Sequence, residues 1–244
     1  MSLVEVWICR LDRAGELAPD YLPLLSEDEK DRAGRFAFGH LRDAYVLGRG
    51  LTRRILASRI QRDPQSIRFG YLAFGKPFLE GYPDWHFNVS HSKSLLLCAV
   101  TKAGPIGVDV ERVREMGDAS GIADRFFCAE EALALESLPP ASRATAFFEC
   151  WTRKEAFLKA TGDGLSRNLA SVAVSILPGS APRFERIADP PDDPAAWSLR
   201  SFFPAENYVA ALAVRAPVSD LRLYDTEGQA DYRPGCIAGE SVRI

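Results

Sequence analysis

The chain has 244 residues, 47% of them hydrophobic and 26% charged, with a formal net charge of -3. That balance belongs to an ordinary globular protein and excludes disordered, collagen-like and disulfide-stapled classes. No apolar run of about 18 residues is present, and the N-terminus lacks a basic stretch followed by an apolar one, so neither a membrane span nor a secretory signal is expected.

Residues Val4 to Cys9 alternate as an opening strand. Ser26-Glu-Asp-Glu29 has capping-box spacing and starts a helix. A second helix is expected from Arg42 to Ile60, ended by Asp63-Pro64. Ile67 to Leu79 reads as two short strands around a Gly75-Lys76-Pro77 turn. Trp85 to Val89, Leu95 to Thr101 and Ile106 to Val110 are further strands. Helical patterning returns at Cys128 to Leu138, stopped by Pro139-Pro140. It resumes at Ala141 to Ala160, ended by Thr161-Gly162-Asp163-Gly164. Strands follow near Ser171 to Ile176, Trp197 to Phe203 and Tyr208 to Val214. Residues 177–194, rich in proline and aspartate, are expected to form a surface loop, and residues 225–244 a loosely attached tail.

Helices followed by strands occur once before Gly104 and again after it. The expectation is an α+β chain of two similar halves, 1–104 and 105–224, with no residue-level repeat visible. The five cysteines are scattered and form no C-x-x-C pair, which argues against a disulfide framework or a structural zinc site and for a reduced, cytoplasmic setting. Between Lys30 and Arg68, ten basic residues face only Asp31, Asp43 and Asp63, so this segment carries +7 on an acidic protein. A local anion site fits that asymmetry better than nucleic-acid binding; a solvated helix face is the alternative.

Four groups of residues carry chemistry. In Ile106-Gly-Val-Asp-Val-Glu111, positions two apart share a strand face, so Asp109 and Glu111 present two carboxylates side by side. Such a pair suits a hard cation such as Mg²⁺; solvent-facing acids at a strand end are the alternative. On the helix through Trp151, Glu155 and Lys159, residues four apart share a face. Either Glu155 and Lys159 form a surface ion pair, or Glu155 adds a third carboxylate and Lys159 meets a phosphate. In Phe87-Asn-Val-Ser-His-Ser92, His91 stands just after a strand, placed to donate to a phosphate or to a loop partner. Lys76 on its turn, with Arg32, Arg42, Arg49 and Arg53 on helices, supplies further phosphate donors.

The order Gly75-Lys-Pro77, Phe87-Asn-Val-Ser-His-Ser92, Gly107-Val-Asp-Val-Glu111 and Trp151-Thr-Arg-Lys-Glu-Ala-Phe-Leu-Lys-Ala160 resembles the 4′-phosphopantetheinyl transferase superfamily. Length and layout are similar to its surfactin-synthetase-activating branch, which implies a pseudo-dimer within one chain. The resemblance implies transfer of the 4′-phosphopantetheine arm of coenzyme A to a serine of an apo carrier protein of fatty-acid, polyketide or nonribosomal peptide synthesis, releasing 3′,5′-adenosine bisphosphate. It implies Mg²⁺ or Mn²⁺ on Asp109, Glu111 and Glu155, with Asp109, Glu155 and Lys159 catalytic. It also implies coenzyme A contacts from Arg32, Arg49, Lys76, Pro77, Asn88, Ser90 and His91, with Arg53 secondary. A cytoplasmic monomer without nucleic-acid or membrane partners is expected.

Two positions depart from the family's pattern. Cys128 stands where a helix-capping serine is usual, and Tyr71-Leu72 where relatives often place a basic phosphate ligand. A catalytically degenerate coenzyme A- or nucleotide-binding module is the main alternative reading. A protein-docking adaptor and a metal-dependent phosphohydrolase are the others.

Overall fold

The computed structural model describes residues 2–117, 119–164, 167–177 and 179–226. In chain order the elements are β1 (Leu3–Arg10), α1 (Ala14–Tyr21), α2 (Glu27–Gly34) and α3 (Gly39–Ile60). The ribbon β2 (Phe69–Tyr71) and β3 (Pro77–Leu79), then β4 (His86–Ser92), β5 (Leu95–Thr101) and β6 (Ile106–Arg112), follow. After them come α4 (Ala119–Phe126), α5 (Ala129–Ser137), α6 (Pro140–Thr161), β7 (Val172–Val174), β8 (Phe184–Ile187), β9 (Ser198–Phe202), β10 (Tyr208–Val214) and β11 (Asp220–Asp225). The fold is mixed α and β. Among the described residues, no helix is long and apolar enough to cross a membrane, and Cys9, Cys98, Cys128 and Cys150 are free and buried.

One sheet has the order β11-β1-β5-β4 and the other β6-β10-β9. Their inner faces share a core: Val4, Val6, Ile8 and Leu97 meet Val108, Val110, Leu212 and Val214. Alternation along each strand turns the intervening residues outward. On the outer side of the first sheet, Trp7, Phe87 and Cys98 pack with Leu51 and Ile55 of α3. On the outer side of the second, Leu199, Ala211 and Ala213 pack with Phe147 and Phe157 of α6. Helix, sheet, sheet and helix thus stack in four layers.

The two halves repeat one topology: a strand, a 22-residue helix, a two-stranded ribbon and an antiparallel hairpin whose second strand pairs with the first strand. The repetition reaches individual residues. Helix α2 opens on a Ser26/Glu29 capping box and α5 on a Cys128/Glu131 box. Arg53, fifteenth residue of α3, pairs with Glu29 at 2.7 Å; Lys154, fifteenth of α6, pairs with Glu131 at 2.7 Å. Arg53 donates to the carbonyls of Pro64 and Ile67, and Lys154 to those of Leu169 and Val172. The intervening 3-10 turns are capped alike, by Asp63 accepting from the Gln65 N–H and Asn168 from the Ala170 N–H.

Several elements differ from expectation. Helix α1 contains Pro19, which disguised it in sequence, and α4 and β11 were not anticipated. Pro140 starts α6 instead of merely stopping α5, because the N–H that proline lacks would have no acceptor at the first helical position. The segment 177–194 is not all loop, since it contains β8, paired with β7. Strand β4 runs on through Ser92, so His91 lies within a strand. Strand β11 reaches back to pair in parallel with β1. From residue 227 on, the expected tail lies outside the described residues.

Candidate active site

Strands β4 and β6 belong to different sheets, and side chains bridge them. The period of two turns Asn88, Ser90 and Ser92 toward β6. There they accept the N–H groups of Val108, Val110 and Arg112 at 2.9, 3.4 and 3.2 Å. Each serine hydroxyl also donates to an acid on β6: Ser90 to Asp109 Oδ1 and Ser92 to Glu111 Oε2, both at 2.9 Å.

Helix α6 crosses the other side of β6 at Gly107. A Cβ there would lie 2.0 Å from the Ala156 carbonyl oxygen and 2.4 Å from the Ala160 nitrogen. Only glycine allows this backbone-to-backbone approach. It brings Lys159 Nζ to 2.6 Å from Asp109 Oδ1 and 2.9 Å from Ser90 Oγ. Asp109 is 4% exposed, and its second carboxylate oxygen, Oδ2, is buried without a hydrogen-bond partner. A buried oxygen without a partner costs free energy unless something outside the chain satisfies it.

All three acids are raised, and the charge of Asp109 acts on the other two. Burial pushes the Asp109 carboxyl up, against the pull of the Lys159 ammonium. Glu111 is raised by burial, with the Ser92 bond opposing and the charge of Asp109 adding to it. Glu155 is raised by burial and by Asp109 and Glu111, against Lys159. Among the described residues, no three His, Cys, Asp or Glu side chains close into a metal site as they stand. Lys159 is the cation in contact with Asp109.

Beside this wall lies a cleft of about 400 Å³ lined by Arg32, Tyr45, Arg49, Pro77, Asn88 and His91 among others. Five residues expected to meet coenzyme A therefore converge there. Arg49 is also anchored: its Nε pairs with Glu29, and it donates to the Tyr71 hydroxyl at 3.0 Å. Tyr71, at the place where a base is usual, thus holds an arginine of the cleft.

The remaining expected residues lie elsewhere. Arg53 is buried on Glu29 and two carbonyls and is not among the residues lining the cleft. Lys76 Nζ donates to the carbonyls of Ile106 and Ala160 at 3.0 and 2.7 Å, clamping the first half's ribbon to β6 and α6. Ser90 lies in the acid wall. Arg42 pairs with Asp43 at the surface. Trp151, half-buried, packs between Phe126 and Phe147. Sequence reasoning assigned nothing to Ser92 or Gly107. The alternation 88, 90, 92 and a glycine inside a strand were the available signals.

The family model described as the 4′-phosphopantetheinyl transferase superfamily matches residues 105–213. The model described as 4′-phosphopantetheinyl transferase, N-terminal, matches residues 19–103. The 4′-phosphopantetheinyl transferase HetI of Nostoc sp. is 37% identical over 86% of this chain and 87% of its own length. A 4′-phosphopantetheinyl transferase of Bacillus subtilis is 32% identical over 89% of this chain and 93% of its own. The transferase Sfp of Bacillus subtilis is 34% identical over 64% and 68%.

Proposed function

The chain belongs to the 4′-phosphopantetheinyl transferase superfamily, and from that premise we propose how its residues divide the transfer of a phosphopantetheine group from coenzyme A to a carrier protein. Residues 1–104 and 105–224 act as a pseudo-dimer within one chain. The first half grips coenzyme A and the second supplies the acids. Arg32, Arg49 and His91 in the cleft take the phosphates, as planar or paired N–H donors favour. A cytoplasmic monomer is the setting of this reading.

Asp109, Glu111 and Glu155 would hold Mg²⁺ or Mn²⁺. The donor set fits a hard cation: three mutually repelling carboxylates, one with a buried oxygen lacking a partner. When bound, such an ion neutralises charge on the pyrophosphate. In the reaction the carrier's serine oxygen bonds to the β-phosphorus. The bond from that phosphorus to the bridging oxygen breaks, and 3′,5′-adenosine bisphosphate departs with the electron pair. Lys159 meets the charge on the leaving phosphate. Glu155, or a water that it holds, would take the serine proton. The protein's share is positioning and charge.

The single observation that carries this reading is Asp109, satisfied on one oxygen by Lys159 and Ser90 and bare on the other. Intact-mass spectrometry of an apo carrier protein incubated with coenzyme A and Mg²⁺, with and without EDTA, tests it. The expected result is a gain of one phosphopantetheine group that EDTA abolishes. Full transfer in EDTA removes the metal from the reading. No transfer to peptidyl, polyketide or fatty-acid carriers, with coenzyme A still bound, favours a binding module.

A further inference from the structure

Ser92 stands outside the cleft and outside the contacts of Lys159. Its hydroxyl is engaged with β6: it accepts the Arg112 N–H at 3.2 Å and gives its one proton to Glu111 Oε2 at 2.9 Å. Of the cations near Glu111, Arg114 lies 4.0 Å away on an exposed stem, too far for a firm hydrogen bond. Ser92 is therefore the close partner that fixes where the Glu111 carboxylate points. The neighbouring rung is built alike, with Ser90 holding Asp109, so β4 sets the spacing of both acids through two hydroxyls.

We propose that Ser92 is a positioning residue, holding Glu111 in the orientation in which it ligates a divalent cation. The inference rests on the metal-site reading above. A hydroxyl that donates to one carboxylate oxygen leaves the other directed at the ion and removes a rotamer the carboxylate would otherwise explore. Partners that orient ligands in this way are worth about 10–100-fold in metal affinity.

The test uses an isosteric pair on the full chain. Ser92→Thr keeps the hydroxyl and Ser92→Val removes it at nearly the same shape, and both suit a strand. Free Mn²⁺ is titrated by electron paramagnetic resonance in the presence of coenzyme A, with Glu111→Gln as control. Coenzyme A affinity is measured separately by calorimetry in EDTA. The expected result is wild-type Mn²⁺ binding in S92T and at least about tenfold weaker binding in S92V, with coenzyme A affinity in EDTA unchanged in both. Equal Mn²⁺ affinity in S92T and S92V, while E111Q binds poorly, overturns the role of Ser92 alone. Equal affinity in E111Q and wild type overturns the metal site, and the role of Ser92 with it.

Discussion

Each half ties its first strand to its long helix by an ion pair, Glu5 of β1 with Arg59 of α3 at 3.1 Å and Asp109 of β6 with Lys159 of α6 at 2.6 Å, although by strand register Asp109 corresponds to Trp7 and Glu5 to Gly107. In the first half the pair is closed. Glu5 also accepts the Tyr224 hydroxyl at 3.1 Å, and the Arg59 guanidinium lies over the Trp7 ring. In the second half the pair is left open, with Asp109 Oδ2 bare and Glu111 and Glu155 adding negative charge beside it. Related scaffolds thus give a satisfied ion pair in one half and, in the other, a pair with a bare oxygen and excess negative charge, the kind of perturbed cluster that marks a candidate site.

The clefts show the same divergence. The second half has its own hollow of about 710 Å³, lined by Thr145, Ala146, Glu149 and Arg153 where α3 offers Ala44, Tyr45, Gly48 and Thr52 to the first. By hairpin register, Ser201 and Phe203 replace Val89 and His91. Arg153 is tied to the Ser175 carbonyl and Ser201 and faces Glu149, so its charge in the hollow is partly matched. The two hollows therefore differ in their linings: the first presents Arg32, Arg49 and His91, the second Glu149 and Arg153.

The sharpest way to break this comparison is to remove one acid from each half. Asp109→Ala should lower the transfer rate by at least about a thousandfold, the scale of losing a preorganised charge in phosphoryl transfer. Glu5→Ala should lower the melting temperature and leave kcat unchanged. A comparable loss of kcat in both would show that the open and closed pairs do not differ in function.

The buried pairs test the scaffold itself. Lys154 is 0% exposed, and Lys154→Met leaves Glu131 charged and unpaired at a cost of about 3–5 kcal/mol by urea denaturation. Adding Glu131→Leu should recover most of it. Glu29→Gln should cost a similar amount and also weaken coenzyme A binding, because Arg49 loses its anchor. If both halves lose stability and coenzyme A affinity alike, the cleft does not depend on Arg49.

Next comes Gly107→Ala. Its Cβ meets backbone atoms, not a side chain that can swing away, so α6 must shift on β6. Glu155 and Lys159 move with it, and misplacement by about 1 Å costs about a hundredfold in rate. Coenzyme A affinity should hold if the first half sets it, as proposed. An unchanged kcat would show that the site tolerates the shift.

How much of this was legible in the sequence follows the range of each signal. Asp109 and Glu111 emerged from alternation, and Glu155 and Lys159 from helical spacing, because both are local periodicities. Arg53 and Lys154 misled or escaped notice. A lysine inside Trp-Thr-Arg-Lys-Glu looks no different when it is sealed under a ribbon, and only its long-range partners, Glu131 and two carbonyls, reveal that. Topological repetition was readable as a layout, but the matching of Ser26/Glu29 with Cys128/Glu131 needed coordinates, because the halves share few identities. The pairing of β11 with β1 spans nearly the whole chain and has no local signature.

The smallest expected effect separates the two ribbons. Lys76-Pro77 opens β3 of the first and clamps across to Ile106 and Ala160, whereas Ala181-Pro182 precedes β8 of the second and carries no such cation. Burial lowers Lys76 from 10.5 to about 8. Between those two values the unfolded chain holds a proton that the folded chain has released, so folding stability contributed by Lys76 rises with pH across that window and is flat on either side. Two carbonyl acceptors favour the ammonium and temper the effect to about 1–2 kcal/mol. Urea denaturation of wild type and Lys76→Met from pH 7.5 to about 10.5 should show wild type gaining that much relative to the variant. Parallel curves would mean that Lys76 keeps its proton throughout, and the clamp would then be a fixed ammonium, as stable at neutral pH as in alkali.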